Sequence, residues 1–312
     1  MSLGVGIVGH GSAGRQHLAA LRDVSGARAV AVLEDDPAAG TGGLPRADSW
    51  PALLADPDVG LVALCVPPGG RARLAIEALE AGKAVLLEKP PTTSAEEHAA
   101  VLAAARSAGR PVGVMLQHRL RLPEPALATD WTGPEVTAVL EVSRYRAPEH
   151  YLRAGWRSDP AVSFGGIAAH LGVHYLDLAC QLLGTPAAVD LAPVRRRAPG
   201  IDSRVAGTVS FEGGATLSFA VTAESPARTE RLHLLGPGGA LLVADGRVTT
   251  TGADGVGTTW PAAPTPALRS EVYREMVHAV ATGLPPRRCH LQGALGVTDI
   301  LARVGRETAV TR

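Results

Sequence analysis

Two histidines lie four residues apart in the stretch GGIAAHLGVHYLD, at residues 165–177. On a helix, His170 and His174 would share one face, and Asp177 follows one turn later. Histidine titrates near neutral pH, which suits a catalytic base. Zinc binding with Asp177 as third ligand is an alternative, although zincins need a glutamate where this chain has Leu171. Packing of both histidines in the core is the third interpretation.

A glycine-rich segment lies near the start of the chain. The sequence GIVGHGSAG has the G-x-G-x-x-G spacing, after an apolar run and before a helical one. In dinucleotide-binding folds these glycines allow a tight turn, close approach of a pyrophosphate and close packing of helix against strand. The helix that follows offers its N-terminal amides to the phosphates. We therefore expect a dinucleotide to contact Gly9, His10, Gly11, Ser12, Ala13 and Gly14.

Three carboxylates follow the second apolar run. Glu34 comes about 20 residues after Gly14, the separation at which an acidic side chain meets the adenosine ribose, and Asp35 and Asp36 are next in the chain. Carboxylates accept hydrogen bonds from ribose hydroxyls and repel a 2′-phosphate. The pattern predicts NAD rather than NADP as cofactor, bound through Glu34 and Asp35. The alternative is an ordinary tight turn followed by a solvated strand end.

A lysine stands out in a chain whose cations are otherwise almost all arginine. Of 30 cationic residues, two are lysine, Lys83 and Lys89. Lys89 follows the apolar run AVLL, at the carboxyl end of an expected strand, where open α/β folds bind ligands. Lysine, unlike arginine, can lose its proton at a tuned pKa. Lys89 is therefore a candidate proton-transfer group, and a surface strand end is the alternative.

Composition narrows the class of protein. Lys plus Arg and Asp plus Glu are equal at 30 each, so neither a basic nucleic-acid face nor an acidic tail is indicated. Three scattered cysteines suit a reducing cytoplasm better than a disulfide framework. No secretory signal or membrane-length apolar run is visible. We expect a soluble, cytoplasmic protein with a small-molecule partner.

The order of apolar runs predicts two domains. Up to Gln117, apolar strands alternate with helices, which is typical of a doubly wound parallel sheet, the Rossmann fold. Beyond it, alternating runs with tight turns at Gly213–Gly214 and Asp245–Gly246 predict a mostly antiparallel sheet with one inserted helix at about 165–184. We expect the fold class α/β, with a Rossmann domain at 1–118 and an α+β domain with a large open sheet at 119–312. Segment 253–267 is predicted to be a loop, and two helices, roughly 268–282 and 290–308, close the chain.

Several segments together resemble the glucose-fructose oxidoreductase and inositol dehydrogenase family, often written Gfo/Idh/MocA. They are LLADPDVGLVALCVPP, AIEALEAGKAVLLEKP and HAVATGLPPR, and the resemblance runs from Gly4 nearly to the C-terminus. It implies an NAD-dependent enzyme that transfers hydride between nicotinamide and a secondary hydroxyl or ketone of a sugar. It also implies a homodimer or homotetramer formed through the exposed face of the antiparallel sheet.

The resemblance also implies roles for individual residues. The family's lysine of the EKP motif and histidine of the G-x-H-x-x-D motif lie at the reacting carbon, and here they fall on Lys89 and His174. His170 stands where relatives often carry Asp or Asn, as a third catalytic candidate. Arg71 stands where relatives often carry His, beside the nicotinamide. The implied cofactor contacts after the third and fourth strands are Val66, Pro67, Arg71, Glu88 and Lys89.

Two further stretches resemble the UDP-N-acetylglucosaminuronate 3-dehydrogenases. They are YLRAGWRSDPAVSFGGIAAHLGVHYLD and VMLQHRLRLP. The resemblance implies a nucleotide-linked sugar as substrate, because arginine forks suit diphosphate or carboxylate oxygens. Ordinary ion pairs are the alternative for the arginines. A free cyclitol or monosaccharide dehydrogenase and a catalytically silent NAD-binding sensor also stay open. The candidate substrate-binding residues are His118, Arg119, Tyr151, Arg157 and Asp177.

Overall fold

The computed structural model describes residues 2–152, 155–198 and 200–310, without the side chains at 152, 157, 158, 160, 161 and 308–310. The chain forms two compact units. The first unit comprises Met1–Gln117 and Pro264–Ala294. The second unit comprises His118–Ala263 and Leu295–Arg312.

A five-stranded parallel sheet forms the core of the first unit. Its strands are β1 (Leu3–Val8), β2 (Ala27–Leu33), β3 (Leu61–Leu64), β4 (Ala84–Leu87) and β5 (Val112–Val114). Four helices connect them: α1 (Ser12–Leu21), α2 (Trp50–Ala55), α3 (Arg71–Glu80) and α4 (Ala95–Ala108). The strand order is β2-β1-β3-β4-β5, all parallel, so the order reverses beside β1. In such sheets ligands bind outside the carboxyl ends of the strands at this reversal.

A nine-stranded sheet forms the core of the second unit. Its strands are β6 (Thr137–Ser143), β7 (Pro186–Leu191), β8 (Arg195–Ala198), β9 (Ile201–Phe211), β10 (Thr216–Thr222), β11 (Thr229–Gly236), β12 (Gly239–Ala244), β13 (Arg247–Gly252) and β14 (Gly257–Trp260). Their order is β14-β13-β12-β11-β6-β10-β9-β7, with β8 on β9. Strands β6 and β10 are parallel, and the other recorded pairs are antiparallel. The predicted fold class is confirmed for both units.

The hairpin turns lie where the sequence predicted them. Asp245 and Gly246 both have positive φ, 49° and 85°, as a two-residue turn of this kind requires. The loop predicted at 253–267 is wrong in part, because β14 pairs with β13 there. Strands β7 and β8 were also not predicted, since β7 is largely exposed and β8 is arginine-rich.

Helices cover one face of the large sheet. On β6, Ala138, Leu140 and Val142 are at most 1% exposed, while Val139 on the other face is 47% exposed. The helices of this unit are α5 (Glu124–Ala128), α6 (Glu149–Leu152), α7 (Gly155–Ser158), α8 (Pro160–Ser163) and α9 (Val173–Leu183), followed near the C-terminus by α11 (Leu295–Val310). Helices α9 and α11 pack on each other and on the sheet.

The helix α10 (Thr265–Thr282) belongs to the first unit, although the sequence prediction assigned every residue after 118 to the second domain. The reason is that α10 packs on α1: the Ser270 hydroxyl donates to the Ala20 carbonyl at 3.0 Å. The following segment returns to the parallel sheet, where the Val114 amide donates to the Cys289 carbonyl at 2.7 Å. The chain therefore crosses back to the Rossmann unit before it ends.

Candidate active site

The glycine-rich loop of the first unit has the shape that a dinucleotide needs. Gly9 has φ +86°, a conformation that favours glycine. A Cβ on Gly14 would lie 2.1 Å from the Gly9 carbonyl oxygen, so only glycine lets α1 come this close to β1. A Cβ on Gly11 would meet nothing within 4 Å, which leaves open space beside the start of α1. The open side at Gly11 and the N-terminal amides of α1 fit a pyrophosphate.

Glu34 lies directly after β2 and contacts this loop. Its carboxylate accepts the amide of His10 at 2.6 Å and the amide of Asp36 at 3.1 Å. Glu34 is half-buried and Asp35 is exposed. Since a carboxylate has about four acceptor positions, Glu34 can still accept ribose hydroxyls. The His10 ring contacts the Gly40 carbonyl through Nδ1.

Arg46 orders the segment after Glu34, and the sequence interpretation missed it. Its guanidinium donates to the carbonyls of Glu34 at 2.5 Å, Asp36 at 3.1 Å and Ala39 at 2.5 Å. An arginine that contacts the segment after Glu34 was expected only at the next positions in the chain, whereas Arg46 lies 12 residues after Glu34. Because the Arg46 backbone forms a bridge with Val32 of β2, these carbonyl contacts hold the carboxylate-bearing segment close to that strand.

Lys89 lies in the loop that follows β4, and a buried network holds its backbone. The Lys89 amide donates to the Glu88 carboxylate at 3.0 Å. The other Glu88 oxygen contacts His17 Nε2 at 3.0 Å and the Arg269 guanidinium at 3.5 Å, and His17 Nδ1 contacts the Tyr273 hydroxyl at 2.7 Å. Burial raises the pKa of Glu88, but His17, Arg269 and Lys89 outweigh burial and hold that pKa well below its usual value. Glu88, predicted to bind cofactor, thus directs its carboxylate at these neighbours.

Sequence reasoning missed His17, Arg269 and Tyr273. His17 lies one turn after Gly14 in α1, so its spacing from the glycines was an available signal. Arg269 and Tyr273 lie in α10, and Tyr273 is 256 residues from His17 in sequence. No local pattern connects residues at such a separation.

Arg71 connects the loops that follow β3 and β4. Its guanidinium donates through Nε to the Val66 carbonyl at 3.1 Å and through Nη1 to the Glu88 carbonyl at 2.5 Å. Further bonds reach the carbonyls of Pro90, from Nη1, and Val66, from Nη2. Arg71 is 2% exposed, and burial lowers its pKa to about 10 although the Glu88 carboxylate opposes the shift. Pro67, the other cofactor candidate here, is half-buried in the loop after β3.

In the second unit, the histidine-bearing helix differs from the regular helix predicted. Residues Ala168–Gly172 form a π-helical turn, and α9 begins at Val173. The i→i+5 bonding of a π-turn adds a residue to the turn, which rotates His170 about the axis relative to the predicted position. The buried Asp202 carboxylate accepts the amides of Gly166 at 2.6 Å and Ala168 at 2.8 Å and so fixes the start of this helix. Burial raises the pKa of Asp202 despite these amides.

Aromatic rings surround both histidines. His174 is 8% exposed and stacks on His118, with ring centroids 4.4 Å apart and an interplanar angle of 28°. Tyr175 meets His118 edge-on at 5.2 Å. The structure therefore brings together two of the predicted residues, His118 and His174.

His170 has other neighbours. Its ring stacks on Tyr151 at 5.8 Å, and Trp156, which the sequence interpretation did not select, lies 6.0 Å away. Tyr151 is 3% exposed, and within the described part of the chain its hydroxyl has no hydrogen-bond partner. Burial and the nearby Asp202 raise the pKa of Tyr151 to about 12. Tyr151 therefore keeps its proton at neutral pH and can donate it in a hydrogen bond.

Arg119 and Asp177 bind each other. Arg119 Nε and Nη2 donate to the two Asp177 oxygens at 2.8 and 2.7 Å, and both residues are at most 2% exposed. Arg119 thus forms the ordinary ion pair that was the alternative to substrate binding. This ion pair also engages both carboxylate oxygens of Asp177, the residue considered as a third zinc ligand. Burial raises the pKa of Asp177, and the Arg119 charge offsets part of that shift. The side chain of Arg157 lies outside the described residues.

Family comparisons agree with both units. Residues 3–116 match the oxidoreductase family with an NAD-binding Rossmann fold, and residues 126–242 match the GFO/IDH/MocA C-terminal domain. The chain belongs to the GFO/IDH/MocA oxidoreductase family. It is therefore an oxidoreductase with an NAD-binding domain, as the sequence predicted. Among the described helices, none has the length and apolar character needed to cross a membrane.

Individual family members differ in substrate. The D-xylose 1-dehydrogenase (NADP⁺) 2 of Haloferax volcanii is 29% identical over 296 residues, which is 88% of this chain and 85% of that protein. Levoglucosan dehydrogenase, solved with NADH and levoglucosan, has a TM-score of 0.84 at 19% identity and covers 99% of this chain and 97% of that one. The WlbA dehydrogenase of Bordetella pertussis, solved with NADH and UDP-GlcNAcA, has a TM-score of 0.82 at 21% identity, covering 98% and 95%. The two structures support the fold of this chain.

Proposed function

We propose that this protein is an NAD-dependent dehydrogenase that transfers hydride between nicotinamide and a secondary hydroxyl or ketone of a sugar. The observation that carries the proposal is the Lys89 loop, which presents an amine at the carboxyl end of β4 in the same unit as the open glycine-rich cradle. Relatives named as xylose, inositol and levoglucosan dehydrogenases support a sugar substrate.

Two residues, His174 and Lys89, are the candidate proton-handling groups. When bound, NAD supplies the hydride acceptor, held by the residues from Gly9 to Gly14 and by Glu34. We assign His174 as the base for the hydroxyl proton and Lys89 as the cation that stabilises the developing alkoxide and relays the proton. The packing of His174 on His118 keeps the imidazole in one orientation. Tyr151 and His170 are the candidates for binding sugar hydroxyls.

A secondary hydroxyl or ketone occurs both in nucleotide-linked sugars and in free sugars, and we propose a nucleotide-linked sugar as the substrate. The segment containing Tyr151, Arg157 and His174 resembles enzymes of that class, and the WlbA dehydrogenase was solved with UDP-GlcNAcA. Because Arg119 binds Asp177, Arg157 becomes the principal candidate for diphosphate oxygens. A free sugar is the second candidate, favoured by the xylose and levoglucosan dehydrogenases.

We also propose a cofactor preference, an oligomer interface and a cellular location. Glu34 should make NAD the better cofactor because its carboxylate repels a 2′-phosphate, although the xylose dehydrogenase is named for NADP⁺. The exposed sheet face carries Val139 and Leu235, 47% and 45% exposed, and is proposed to pair with a second copy of the chain. A cytoplasmic location is proposed from the odd and scattered cysteines.

The test combines binding and turnover in the same samples. With NAD saturating, UDP-, GDP- and dTDP-sugars and free polyols are added singly while the melting temperature and NADH absorbance are followed. A ligand that binds only the folded state raises the melting temperature according to its affinity. Stabilisation with NADH formation in one nucleotide series supports the proposal. Turnover with free sugars alone moves the assignment to the second candidate, and stabilisation by NAD without any turnover contradicts dehydrogenase activity on this panel and favours an NAD sensor.

A further inference from the structure

The backbone around Lys89 is held on both sides. On one side, the Lys89 amide donates to the Glu88 carboxylate, which is itself fixed by His17 and Arg269. On the other side, the carbonyls of the residues before and after Lys89, Glu88 and Pro90, both accept hydrogen bonds from Arg71 Nη1. The Glu88–Lys89 peptide group is thus bound at its N–H and at its carbonyl by two buried charged side chains of opposite sign, and the Pro90 carbonyl is held by the same arginine.

Most of the hydrogen-bond donors of Arg71 are engaged by these carbonyls, which leaves few donors for a cofactor. A guanidinium has five N–H donors, and four of them are directed at the carbonyls of Val66, Glu88 and Pro90. The side chain is 2% exposed, so its remaining surface is enclosed. The third carbonyl, that of Val66, belongs to the loop after β3, so Arg71 also fixes the distance between the two loops.

We infer that Arg71 is a positioning residue that fixes the backbone of Lys89, and that it is not a ligand of the nicotinamide cofactor. This inference rests on the proposed role of Lys89 in sugar oxidation. The fork geometry suits this role, because the guanidinium spreads its donors over a rigid plane that reaches both loops, whereas a lysine ammonium carries its three donors on a single atom. A misplacement of a reacting group by about 1 Å can cost on the order of a hundredfold in rate.

The test compares Arg71→Ala and Arg71→Lys with a matched control, Arg73→Ala. Arg73 is two residues further along α3, its side chain is 68% exposed, and it pairs with Glu77 on the helix surface. All variants are measured below their own melting temperatures, and Arg71→Lys, which keeps the charge and most of the volume, carries the test if Arg71→Ala does not fold. We expect kcat to fall by about 10- to 100-fold in both Arg71 variants, with NAD affinity within about threefold of the parent, and added guanidinium ion to restore part of kcat in Arg71→Ala.

A second readout does not depend on any substrate. The chain has only two lysines, so acylation of Lys89 by acetic anhydride can be measured by mass spectrometry against Lys83 as an internal reference. Lys83 Nζ donates to the carbonyls of Asp56 and Val59, which precede β3, and not to the loops after β3 and β4 that Arg71 binds. If Arg71 fixes the loop, its loss frees Lys89, and the Lys89 to Lys83 labelling ratio rises by about threefold or more as the loop opens locally.

The outcomes separate this inference from the proposed function. A changed labelling ratio with no turnover even in the parent protein supports the positioning role and contradicts the dehydrogenase proposal. A kcat that falls together with an equal loss of NAD affinity overturns the inference and makes Arg71 a cofactor ligand. An unchanged labelling ratio in a folded Arg71 variant also overturns it, whatever the turnover.

Discussion

The Lys89 loop and the His174 helix hold their candidate catalytic side chains in different ways. Lys89 follows a strand in a loop, and hydrogen bonds from Arg71 and to Glu88 fix its backbone. His174 lies on a helix, whose backbone is satisfied internally, and its ring is fixed by stacking on His118. In this protein the loop residue thus depends on charged partners for its peptide groups, whereas the helical residue depends on partners for its side chain.

The two buried carboxylates next to these elements show the same contrast. Glu88 has several polar partners, and its pKa lies well below the usual value although burial opposes this. Asp177 has the Arg119 fork, and burial raises its pKa in spite of that charge. The number and sign of the neighbours therefore decide which form of each carboxyl the fold prefers.

The largest expected effect is on turnover. Lys89→Met should lower kcat by about a thousandfold, or about 4 kcal/mol, because the alkoxide loses its cation, while NAD affinity changes little. The measurement is steady-state kinetics with the substrate found by the stability assay, together with NAD titration. Lys83→Met is the control, since Lys83 binds only backbone carbonyls among its recorded bonds. Equal kcat in Lys89→Met and the parent would remove Lys89 from the chemistry.

The next effect is on the stability of the second unit. Arg119→Met leaves the buried Asp177 charge without its fork, and breaking a buried ion pair in this way costs about 3–5 kcal/mol. Urea denaturation measures the loss. The double variant Arg119→Met/Asp177→Leu removes both charges and should recover most of it. A loss below about 1 kcal/mol in the single variant, the size measured for exposed ion pairs, would contradict this prediction.

The change in the free energy of unfolding at acidic pH should differ in sign between Glu88 and Asp177. The lowered pKa of Glu88 means that its stabilisation is present above the unfolded value of about 4.3 and is lost as pH falls toward the folded value. The raised pKa of Asp177 acts oppositely: its contribution is present below the unfolded value and is lost as pH rises. Relative to the parent between pH 6 and 3, Glu88→Gln should lose less stability on acidification, by on the order of 2 kcal/mol, and Asp177→Asn should lose more. Melting temperatures at a series of pH values test both signs, and equal slopes in all three proteins would contradict the assignment.

The smallest expected effect concerns a third carboxylate, Glu34, which is half-buried and bound only to backbone amides in the recorded contacts. Glu34→Gln should weaken NAD by about tenfold, or 1.4 kcal/mol, and should narrow the preference over NADP, because the charge that repels a 2′-phosphate is gone. Cofactor titrations measure both affinities. Glu80→Gln, at the exposed end of α3, is the control. An unaltered NAD to NADP ratio would remove Glu34 from cofactor selection.

Local patterns predicted the elements that carry the site. The buried strands β1 to β4 appear in sequence as apolar runs, and the glycines and Lys89 follow them at recognisable spacings. Strand β14 was not predicted because its four residues are exposed, half-exposed or glycine and show no alternation of apolar and polar side chains. The segment around α10 was assigned to the wrong unit because its periodicity reveals a helix and not the helix against which it packs.

The contacts that support the site could not be predicted locally. The Arg119–Asp177 fork joins residues 58 positions apart, and the His17–Tyr273 contact joins residues 256 apart. The π-turn at His170 was also not predicted, because the sequence 168–172 has ordinary helical composition, and the buried Asp202 that fixes its start lies in β9, the third strand further along the chain. Such features depend on tertiary packing and leave no spacing signal.

Hydride transfer itself gives the most direct test of the proposed dehydrogenase activity. A sugar that stabilises the protein is deuterated at the carbinol carbon and incubated with NAD, and the reduced cofactor is examined by mass spectrometry for the parent and for Lys89→Met. Deuterated NADH is expected with the parent protein and almost none with Lys89→Met at equal occupancy. Absence of deuterium in the cofactor with every stabilising sugar would contradict it.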